Sequence, residues 1–378
     1  MKTVKTHHLI LALILIITTG IFAAGIYLLG WYLPAQSYRL FGPPAADLSR
    51  PYQILYAARL FSHKDFLLEN TGNDQSQSVF TVQQHEPVSS IAARLYAGGF
   101  IDSPDVWKEY LVYSGIDRKI QSGTYLLSRN LTPVEIAAVI HDDNPEDVNF
   151  AFLPGWRSEE IAALFPNSGL AVDNEEFLEL ISKPELSEVA FLKGFSSLEG
   201  FLYPGTYQLD RASQAEQIIS QFVGRFFDDL PPDFEEKVHG MNLNLHEAVI
   251  LASIIQKETV IPEEAPMIAS VFINRLNAGM PLQSDPTVQY ALGYSENHTS
   301  WWKSPLTTQD LQIESPFNTY IHSGLPPAAI SNPDMNSLNA VANPAHTDYY
   351  YFRSDCDQSG RHNFSKTYEA HLQAACPP

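Results

Sequence analysis

The sequence predicts an α+β protein with one N-terminal transmembrane helix, and three observations lead to this fold class. The run from Leu9 to Leu33 contains no charged residue. Residues 79–145 alternate short strand-like segments with capped helical segments, and longer helical stretches follow. We therefore divide the chain into five parts: a cytoplasmic N-terminus (1–8), a transmembrane helix (9–33), a linker (34–78), a small α+β module (79–145) and a mixed α+β domain (146–378).

The composition excludes several classes of protein. The chain has 378 residues, with 23 Lys and Arg against 43 Asp and Glu, so its formal net charge is −20. Hydrophobic residues make up 45% of the chain, which excludes general disorder. The acidity argues against nucleic-acid binding, because phosphate contacts need clustered Lys and Arg. It also argues against electrostatic attachment to an anionic bilayer.

The uncharged N-terminal run predicts membrane anchoring. Its 25 residues rise about 1.5 Å each, enough to cross a hydrocarbon core of about 30 Å. Lys2 and Lys5 precede it, so the positive-inside rule places the N-terminus in the cytoplasm and everything after Leu33 outside. The alternative is a cleaved signal peptide with a weak site at Ala23 and Ala24. The length of the run favours a retained anchor, because signal peptides usually have apolar cores of about 7–15 residues.

The two cysteines both fall in the predicted external part of the chain. Cys356 and Cys376 would face an oxidising compartment, where disulfides persist. We predict that they bond and close one loop near the C-terminus. They cannot make a tetrahedral zinc site unaided.

The module at 79–145 shows strand and helix signals but no obvious chemistry. Phe80–Val82 and Gly123–Leu127 are predicted strands, and Val88–Leu95 is a predicted helix. Thr132 with Glu135 three residues later predicts a capping box that begins a further helix.

One glutamate stands out as a candidate acid. The stretch from His246 to Thr259 lacks Gly and Pro, and Glu258 continues its apolar stripe near the predicted helix end. Desolvation and the negative end of the helix dipole both raise the pKa of a carboxyl group there, which suits a general acid. Alternatively, Glu258 pairs with Lys257 or Arg275 on a solvated rim. The helix alone favours neither interpretation.

Glu258 has no obvious carboxylate partner. Glu247 lies on the same helix face but about 16 Å away at 1.5 Å per residue. The carboxylates of ordinary glycosidases are at most about 9.5 Å apart. We therefore predict that Glu247 complements the dipole in the first helical turn.

Several segments around Glu258 together resemble one enzyme family, the YceG-like endolytic murein transglycosylases. The ordered set spans some 80 residues and is far more specific than any of its parts. It comprises Ala252–Thr259, Ala269–Leu276, Leu282–Thr287, and Asn318–Tyr320 through Gly324–Pro327. Weaker similarity, including Leu198–Gly200, extends from about residue 79 to the C-terminal region, and the module at 79–145 is similar to the LysM-like part of the family.

The resemblance implies an activity. It implies a lytic transglycosylase that cuts between N-acetylmuramic acid (MurNAc) and N-acetylglucosamine (GlcNAc) inside nascent glycan strands and leaves 1,6-anhydro ends. Such an enzyme acts in cell wall assembly, as a terminator of glycan elongation. It is an inner-membrane protein with its catalytic domain outside the cytoplasm, and its partners are glycan strands and peptidoglycan synthases (penicillin-binding proteins). No cofactor or metal is implied.

The resemblance also implies roles for particular residues. It makes Glu258 the catalytic acid and base, and one such residue can suffice because the muramoyl C6 hydroxyl attacks intramolecularly. The residues that we predict to orient or support the substrate are Gln283, Asp285, Asn318, Tyr320 and Glu199.

The chain departs from the family pattern at two positions. Leu153 precedes Pro154-Gly155-Trp156 where family members often carry a Pro-Glu-Gly-Trp turn, so no glutamate role carries over there. Gln256 stands where an acid is frequent, which leaves Glu258 as the acid of this segment.

Two other classes of function remain open at this point. One is a non-catalytic, membrane-anchored scaffold that binds peptidoglycan. The other is a metal-dependent or nucleophile-dependent hydrolase. The sequence has no His-Glu-x-x-His motif. Ser253 and His246 are seven residues apart, or about 10 Å along a helix, which is too far for a nucleophile–base pair.

Overall fold

The computed structural model describes residues 2–141, 147–188, 190, 192–357 and 359–376. Helices and short antiparallel strand pairs alternate along the described chain, which confirms the α+β fold class. The strands are β1 (Ser78–Val82), β2 (Gly123–Leu127), β3 (Asp147–Phe152), β4 (Gly205–Asp210), β5 (Tyr351–Ser354) and β6 (His362–Ser365). The first nine helices are α1 (Lys2–Tyr27), α2 (Leu33–Phe41), α3 (Arg50–Ser62), α4 (Asp65–Leu68), α5 (Val88–Ala97), α6 (Pro104–Ser114), α7 (Pro133–Val139), α8 (Ser158–Ala162) and α9 (Phe165–Ser168). The others are α10 (Asn174–Ser182), α11 (Ala215–Asp229), α12 (Phe234–His239), α13 (Leu245–Glu258), α14 (Ala265–Asn277), α15 (Asp285–Leu292), α16 (Met335–Ala342) and α17 (Tyr368–Gln373).

The chain forms two compact units. The first comprises Met1–Asn149 with Asn167–Gly169, and the second comprises Phe150–Pro166 with Leu170–Pro378. The sequence predicts a boundary between residues 145 and 146, and this position lies outside the described residues.

The N-terminal helix is longer than the sequence predicts. A π-helical turn, Leu28–Tyr32, joins α1 directly to α2, so helical structure continues to Phe41. Pro34 in the first turn of α2 cannot donate a backbone hydrogen bond, and a wider turn just before it accommodates that loss. Leu13–Phe41 is long and apolar enough to cross a membrane and is a candidate span.

The first unit also contains the segment predicted to be a linker. In this segment the structure has the end of α2 together with α3 and α4. Phe41, Leu60 and Leu67 are buried in the same core as the module that follows. The sequence suggests a linker because proline-rich turns interrupt the segment, whereas its apolar residues have partners only later in the chain.

The rest of the first unit surrounds a strand pair. Strands β1 and β2 are antiparallel, with Phe80 opposite Tyr125. The predicted capping box at Thr132 and Glu135 is present at the start of α7. Trp107 on α6 is fully buried, and its indole N–H donates to the carbonyl of Pro133.

The second unit is organised around α13. Eight consecutive residues of this helix, from Ala248 to Ile255, are buried, because α14 and α16 both pack against it. The β5–β6 hairpin lies against α14, where Phe352 meets Phe272 edge to face at 5.6 Å between ring centroids.

The C-terminus is fastened to this hairpin. A disulfide joins Cys356, just after β5, to Cys376, just after α17, which confirms the predicted bond. The guanidinium of Arg353 on β5 donates to the backbone carbonyl of His371 on α17 at 3.2 Å.

Candidate active site

Helix α13 places Glu258 at its C-terminal end. The helix begins with a capping box in which Asn244 and Glu247 bond each other's backbone N–H groups. The prediction that Glu247 serves the first helical turn is therefore confirmed. Glu258 is the last helical residue, and the chain leaves the helix at Thr259.

The Glu258 side chain lines a cavity of about 200 Å³. Helices α13 and α14, the start of α15, the loop at residue 320 and the β5–β6 hairpin all contribute to its wall. The lining residues are Glu258, Arg275, Leu282, Gln283, Asp285, Tyr320, Phe352, Arg353, Ser354 and His362.

The environment of Glu258 keeps a substantial fraction of its carboxyl groups protonated at neutral pH. Burial is the largest effect and raises the pKa of Glu258 to about 7, with the negative charge of Asp285 acting in the same direction. Two groups oppose this rise: the Ser284 hydroxyl, which donates to Glu258 Oε1 at 2.6 Å, and the positive charge of Arg275. A carboxyl group with a pKa near 7 can both donate and accept a proton.

The alternative rim pairing of Glu258 is not what the structure shows. The Lys257 ammonium lies 3.6 Å from the centroid of the Trp302 ring and 3.3 Å from the carbonyl oxygen of Gly155. The guanidinium of Arg275 is buried and donates to the carbonyls of Tyr350 and Leu282, each at 2.6 Å. Glu258 therefore faces the cavity without a salt-bridge partner among the described residues.

Three of the predicted substrate residues share the cavity with Glu258. The Tyr320 hydroxyl donates to Asp285 Oδ1 at 2.6 Å, and burial followed by this hydrogen bond raises the pKa of Tyr320. Gln283 is exposed and adopts a φ of 51°, and its N–H donates to the carbonyl of Thr319. A non-glycine residue at positive φ is strained, and such strain is common where a site fixes its geometry.

The structure places Asn318 differently from the prediction. Asn318 is fully buried, and its amide N–H groups donate to the carbonyls of Leu311 and Ile313 at 3.1 and 2.9 Å. Its Oδ1 accepts the backbone N–H of Tyr320 at 2.9 Å. Because these bonds occupy the amide, Asn318 shapes the loop that presents Tyr320 and is not placed to contact a sugar.

Glu199 also lies away from the cavity lining. It is 4% exposed and accepts hydrogen bonds from the backbone N–H and hydroxyl of Ser158 and from the Asn332 amide. Burial is the main cause that raises its pKa to about 7. The Asn332 amide also bonds Trp156 and Gly200, so Glu199 belongs to a buried network that joins two turns.

Comparisons with known proteins identify the family of this chain. The model of the YceG-like family matches residues 80–376. The chain belongs to the YceG-like family. It is 30% identical over 332 residues to the endolytic murein transglycosylase of Bacillus subtilis strain 168, covering 83% of this chain and 88% of the relative. It is 26% identical over 345 residues to the enzyme of the same name from Streptococcus pneumoniae serotype 2, covering 84% and 62%.

A solved structure shows the same likeness. The crystal structure of a YceG-like protein from Listeria monocytogenes matches with a TM-score of 0.55 at 28% identity, covering 79% of this chain and 99% of that one. The family resemblance predicted from the sequence is therefore confirmed.

The residues of this YceG-like site that are not among those selected from the sequence include Ser284, Arg275, Arg353 and His362. Ser284 and Arg275 stand inside the family segments, so their positions carried a signal. Arg353 and His362 come from a hairpin about 100 residues after Glu258, and no local pattern marks them. The backbone and ring N–H groups of His362 are held by the carboxylate of Glu264.

The structure also shows the surroundings of Gln256 and of Ser253, the serine considered as a nucleophile. The Gln256 side-chain carbonyl accepts from the backbone N–H of Asp334 and the hydroxyl of Ser337, both at 2.9 Å, so this YceG-like chain uses the position to fix the start of α16. Ser253 is fully buried, and its hydroxyl donates to Ile250 and accepts from the N–H of Ile330. A buried, doubly bonded hydroxyl is a poor nucleophile candidate. Among the described residues, no three or more His, Cys, Asp and Glu side chains could hold a metal ion together.

Proposed function

We propose that this YceG-like protein is an endolytic murein transglycosylase. It cleaves the MurNAc–GlcNAc bond inside nascent peptidoglycan strands and leaves a 1,6-anhydromuramoyl end. The observation that carries the proposal is Glu258: a carboxyl with a pKa of about 7, at a helix end, facing a cavity. Membership of a family with relatives of that name supports it.

The chemistry needs one residue that changes protonation state. Protonated Glu258 gives its proton to the glycosidic oxygen of the leaving sugar as the C1–O bond breaks. The resulting carboxylate then takes the proton of the muramoyl C6 hydroxyl as O6 bonds to C1. No water is consumed, and Glu258 ends the cycle protonated. A pKa near neutrality suits both steps, because general acids work best when their pKa is near the working pH.

The rest of the cavity has supporting roles. Ser284 holds the Glu258 carboxyl in place through its hydroxyl. Asp285 and Tyr320, bonded to each other, form a fixed polar wall that orients sugar hydroxyls, and the exposed Gln283 amide adds a further donor and acceptor. Asn318 and Glu199 act indirectly, through the loops that they hold.

The cellular setting is part of the proposal. The helix that contains Leu13–Phe41 anchors the protein in the cytoplasmic membrane, with Lys2 and Lys5 on the cytoplasmic side. The second unit then lies outside the cytoplasm, and the Cys356–Cys376 disulfide supports this placement. The LysM-like module holds glycan, and peptidoglycan synthases of the penicillin-binding class are the partners that supply the strands.

The deciding experiment compares Glu258→Gln with Glu247→Gln. Both changes remove one carboxylate from α13, but only Glu258 faces the cavity. Purified full-length protein in detergent is incubated with sacculi, and mass spectrometry measures anhydromuropeptides, which are lighter than hydrolysis products by one water. We expect Glu258→Gln to lose at least about 10²–10⁴-fold in rate and Glu247→Gln to stay near wild type.

Two controls complete the test. Thermal melting shows whether each variant is folded, and sacculus pull-down shows whether it still binds glycan. Near-normal product from folded Glu258→Gln would refute the assignment. Sacculus binding without anhydro product from the wild type would favour a scaffold instead. For topology, a reporter fused after Pro378 should be active only outside the cytoplasm.

A further inference from the structure

The cavity of Glu258 has a positive side. Arg275 on α14 and Arg353 on β5 both line it, in a chain of net charge −20. Among the described residues, neither arginine has a carboxylate oxygen within 4.0 Å. Two arginines without a carboxylate partner add positive charge to one side of this cavity, whose other lining residues include Glu258 and Asp285.

The two arginines differ in how their N–H groups are used. The Arg275 guanidinium is buried and bonds the carbonyls of Tyr350 and Leu282, so it stabilises the backbone. Arg353 is only partly buried, and within the described part of the chain it donates one hydrogen bond, from Nη1 to the carbonyl of His371 at 3.2 Å. A guanidinium has five N–H donors in a planar fork, so most of those on Arg353 remain for a ligand.

The charge of Arg353 is not directed at the catalytic acid. The charges that shift the pKa of Glu258 are those of Asp285 and Arg275. Arg353 acts instead on His371: the pKa of that imidazole is lowered by burial first and then by the charges of Arg353 and Arg275. Of the two arginines, Arg275 therefore acts on Glu258, whereas Arg353 is not among the charges that shift its pKa.

A glycan strand offers few groups that could neutralise such a charge. The sugar rings, their hydroxyls and their N-acetyl groups are uncharged. The carboxylates of murein are all on the substituent at muramoyl C3, either as the lactyl carboxylate of a bare strand or as the carboxylates of an attached peptide stem. The arginine fork matches a carboxylate in a bidentate geometry.

We propose that Arg353 forms a subsite for a carboxylate on the C3 substituent of the muramoyl residue, so that the enzyme selects strands by the charge next to the scissile bond. This inference rests on the proposed function. The His371 carbonyl on α17 accepts a hydrogen bond from Arg353 and thereby orients it. The Cys356–Cys376 disulfide links α17 to the hairpin, so this arrangement is held in place.

The test crosses three enzymes with three substrates. Full-length wild type and Arg353→Gln are assayed for kcat/KM of anhydro product. The first substrate is peptide-bearing strands, and the second is the same strands with their carboxylates converted to amides by carbodiimide and ammonia. The third is strands stripped by an amidase, which exposes the lactyl carboxylate. Arg353→Lys serves as the charge-conserving variant.

We expect the loss to depend on the substrate. Hydrogen bonds to charged groups predict that Arg353→Gln is about 10- to 100-fold slower than wild type on peptide-bearing strands and equal to it on amidated strands. Arg353→Lys should recover part of the rate. The amidated substrate also serves as the folding control, because a variant that matches wild type there is intact.

The third substrate identifies which carboxylate is bound. A loss confined to peptide-bearing strands assigns the subsite to a peptide-stem carboxylate, a loss confined to stripped strands assigns it to the lactyl carboxylate, and a loss on both means that either carboxylate is bound. Equal losses on native and amidated strands, or no loss on any of the three substrates, would overturn the subsite and leave the proposed function standing. Wild type that yields no anhydro product from any strand would instead overturn the proposed function, and this inference with it.

Discussion

Removing the hydroxyl of Ser284 tests how Glu258 is tuned. This hydroxyl donates to Glu258 Oε1 at 2.6 Å. Ser284 is the N-cap of α15, but its side chain makes no capping bond, so the hydroxyl is not needed to begin the helix. Its backbone bonds with Thr319 and Thr287 survive a change to alanine. Ser284→Ala therefore removes one interaction of the candidate acid and little else.

The size of the effect follows from that interaction. A hydrogen bond to a charged group contributes about 1.5–3 kcal/mol, and about 1.4 kcal/mol corresponds to one pKa unit. The hydroxyl stabilises the carboxylate and thereby lowers the pKa of Glu258, which stands at about 7. Its loss should raise that pKa by about 1 to 2. Since the first step needs a protonated Glu258, activity should persist to correspondingly higher pH.

The assay is the pH profile of kcat/KM for anhydromuropeptide release, measured from pH 5 to pH 10. The alkaline limb reports the acid that must be protonated in the free enzyme. Wild type should lose activity above about pH 7, and Ser284→Ala should lose it at higher pH. Ser182→Ala is the matched control, because it removes an exposed hydroxyl at the end of α10. An alkaline limb that stays in place or moves to lower pH in Ser284→Ala would refute the assigned roles of both residues.

Three further predictions concern stability, and each is measured by equilibrium unfolding of the full chain in detergent. The pKa of Glu199 is raised from 4.5 to about 7, so wild type should lose stability as pH rises through that window. Glu199→Gln should therefore gain up to about 3 kcal/mol of stability relative to wild type between pH 5 and pH 8. A difference that does not depend on pH would contradict the buried-acid assignment. Replacing both Cys356 and Cys376 with serine opens a loop of 20 residues and should lower the free energy of unfolding by about 3 kcal/mol. An unchanged unfolding midpoint would mean that the disulfide does not constrain the unfolded chain. Thr132→Ala removes the helix cap that bonds the backbone of Glu135 and should lower the free energy of unfolding by about 1 kcal/mol. Anhydro product formation should stay unchanged. A loss of activity in the folded variant would mean that this module contributes to catalysis.

The features that the sequence predicts well are local ones. The end of α13 follows from an apolar stripe that stops before Pro262, and this pattern alone brings Glu258 to notice. The capping box at Thr132 follows from two residue types at fixed spacing. In both cases the forces that decide the structure act within one or two helical turns, so the neighbouring residues are sufficient to predict it.

The features that the sequence does not predict depend on distant partners. Asn318 looks like a sugar-binding amide, but whether an amide faces solvent or bonds Leu311 and Ile313 is decided by how the loop folds. Arg353 reaches the cavity only because a late hairpin packs on α14. The helices at residues 34–68 owe their burial to a core that forms from later residues, so their own weak pattern suggests a linker.

The N-terminal helix is unbroken, so the proposed membrane anchor is rigid. Its 29 residues from Leu13 to Phe41 measure about 43 Å, about 13 Å more than a hydrocarbon core. Phe41, at the far end, is already part of the core of the first unit. A flexible tether would let the first unit move away from the membrane by thermal motion. A rigid helix instead keeps the unit at a fixed distance from the bilayer and transmits its own rotation to the unit. If this helix spans the membrane as proposed, the first unit is held close above the lipid headgroups.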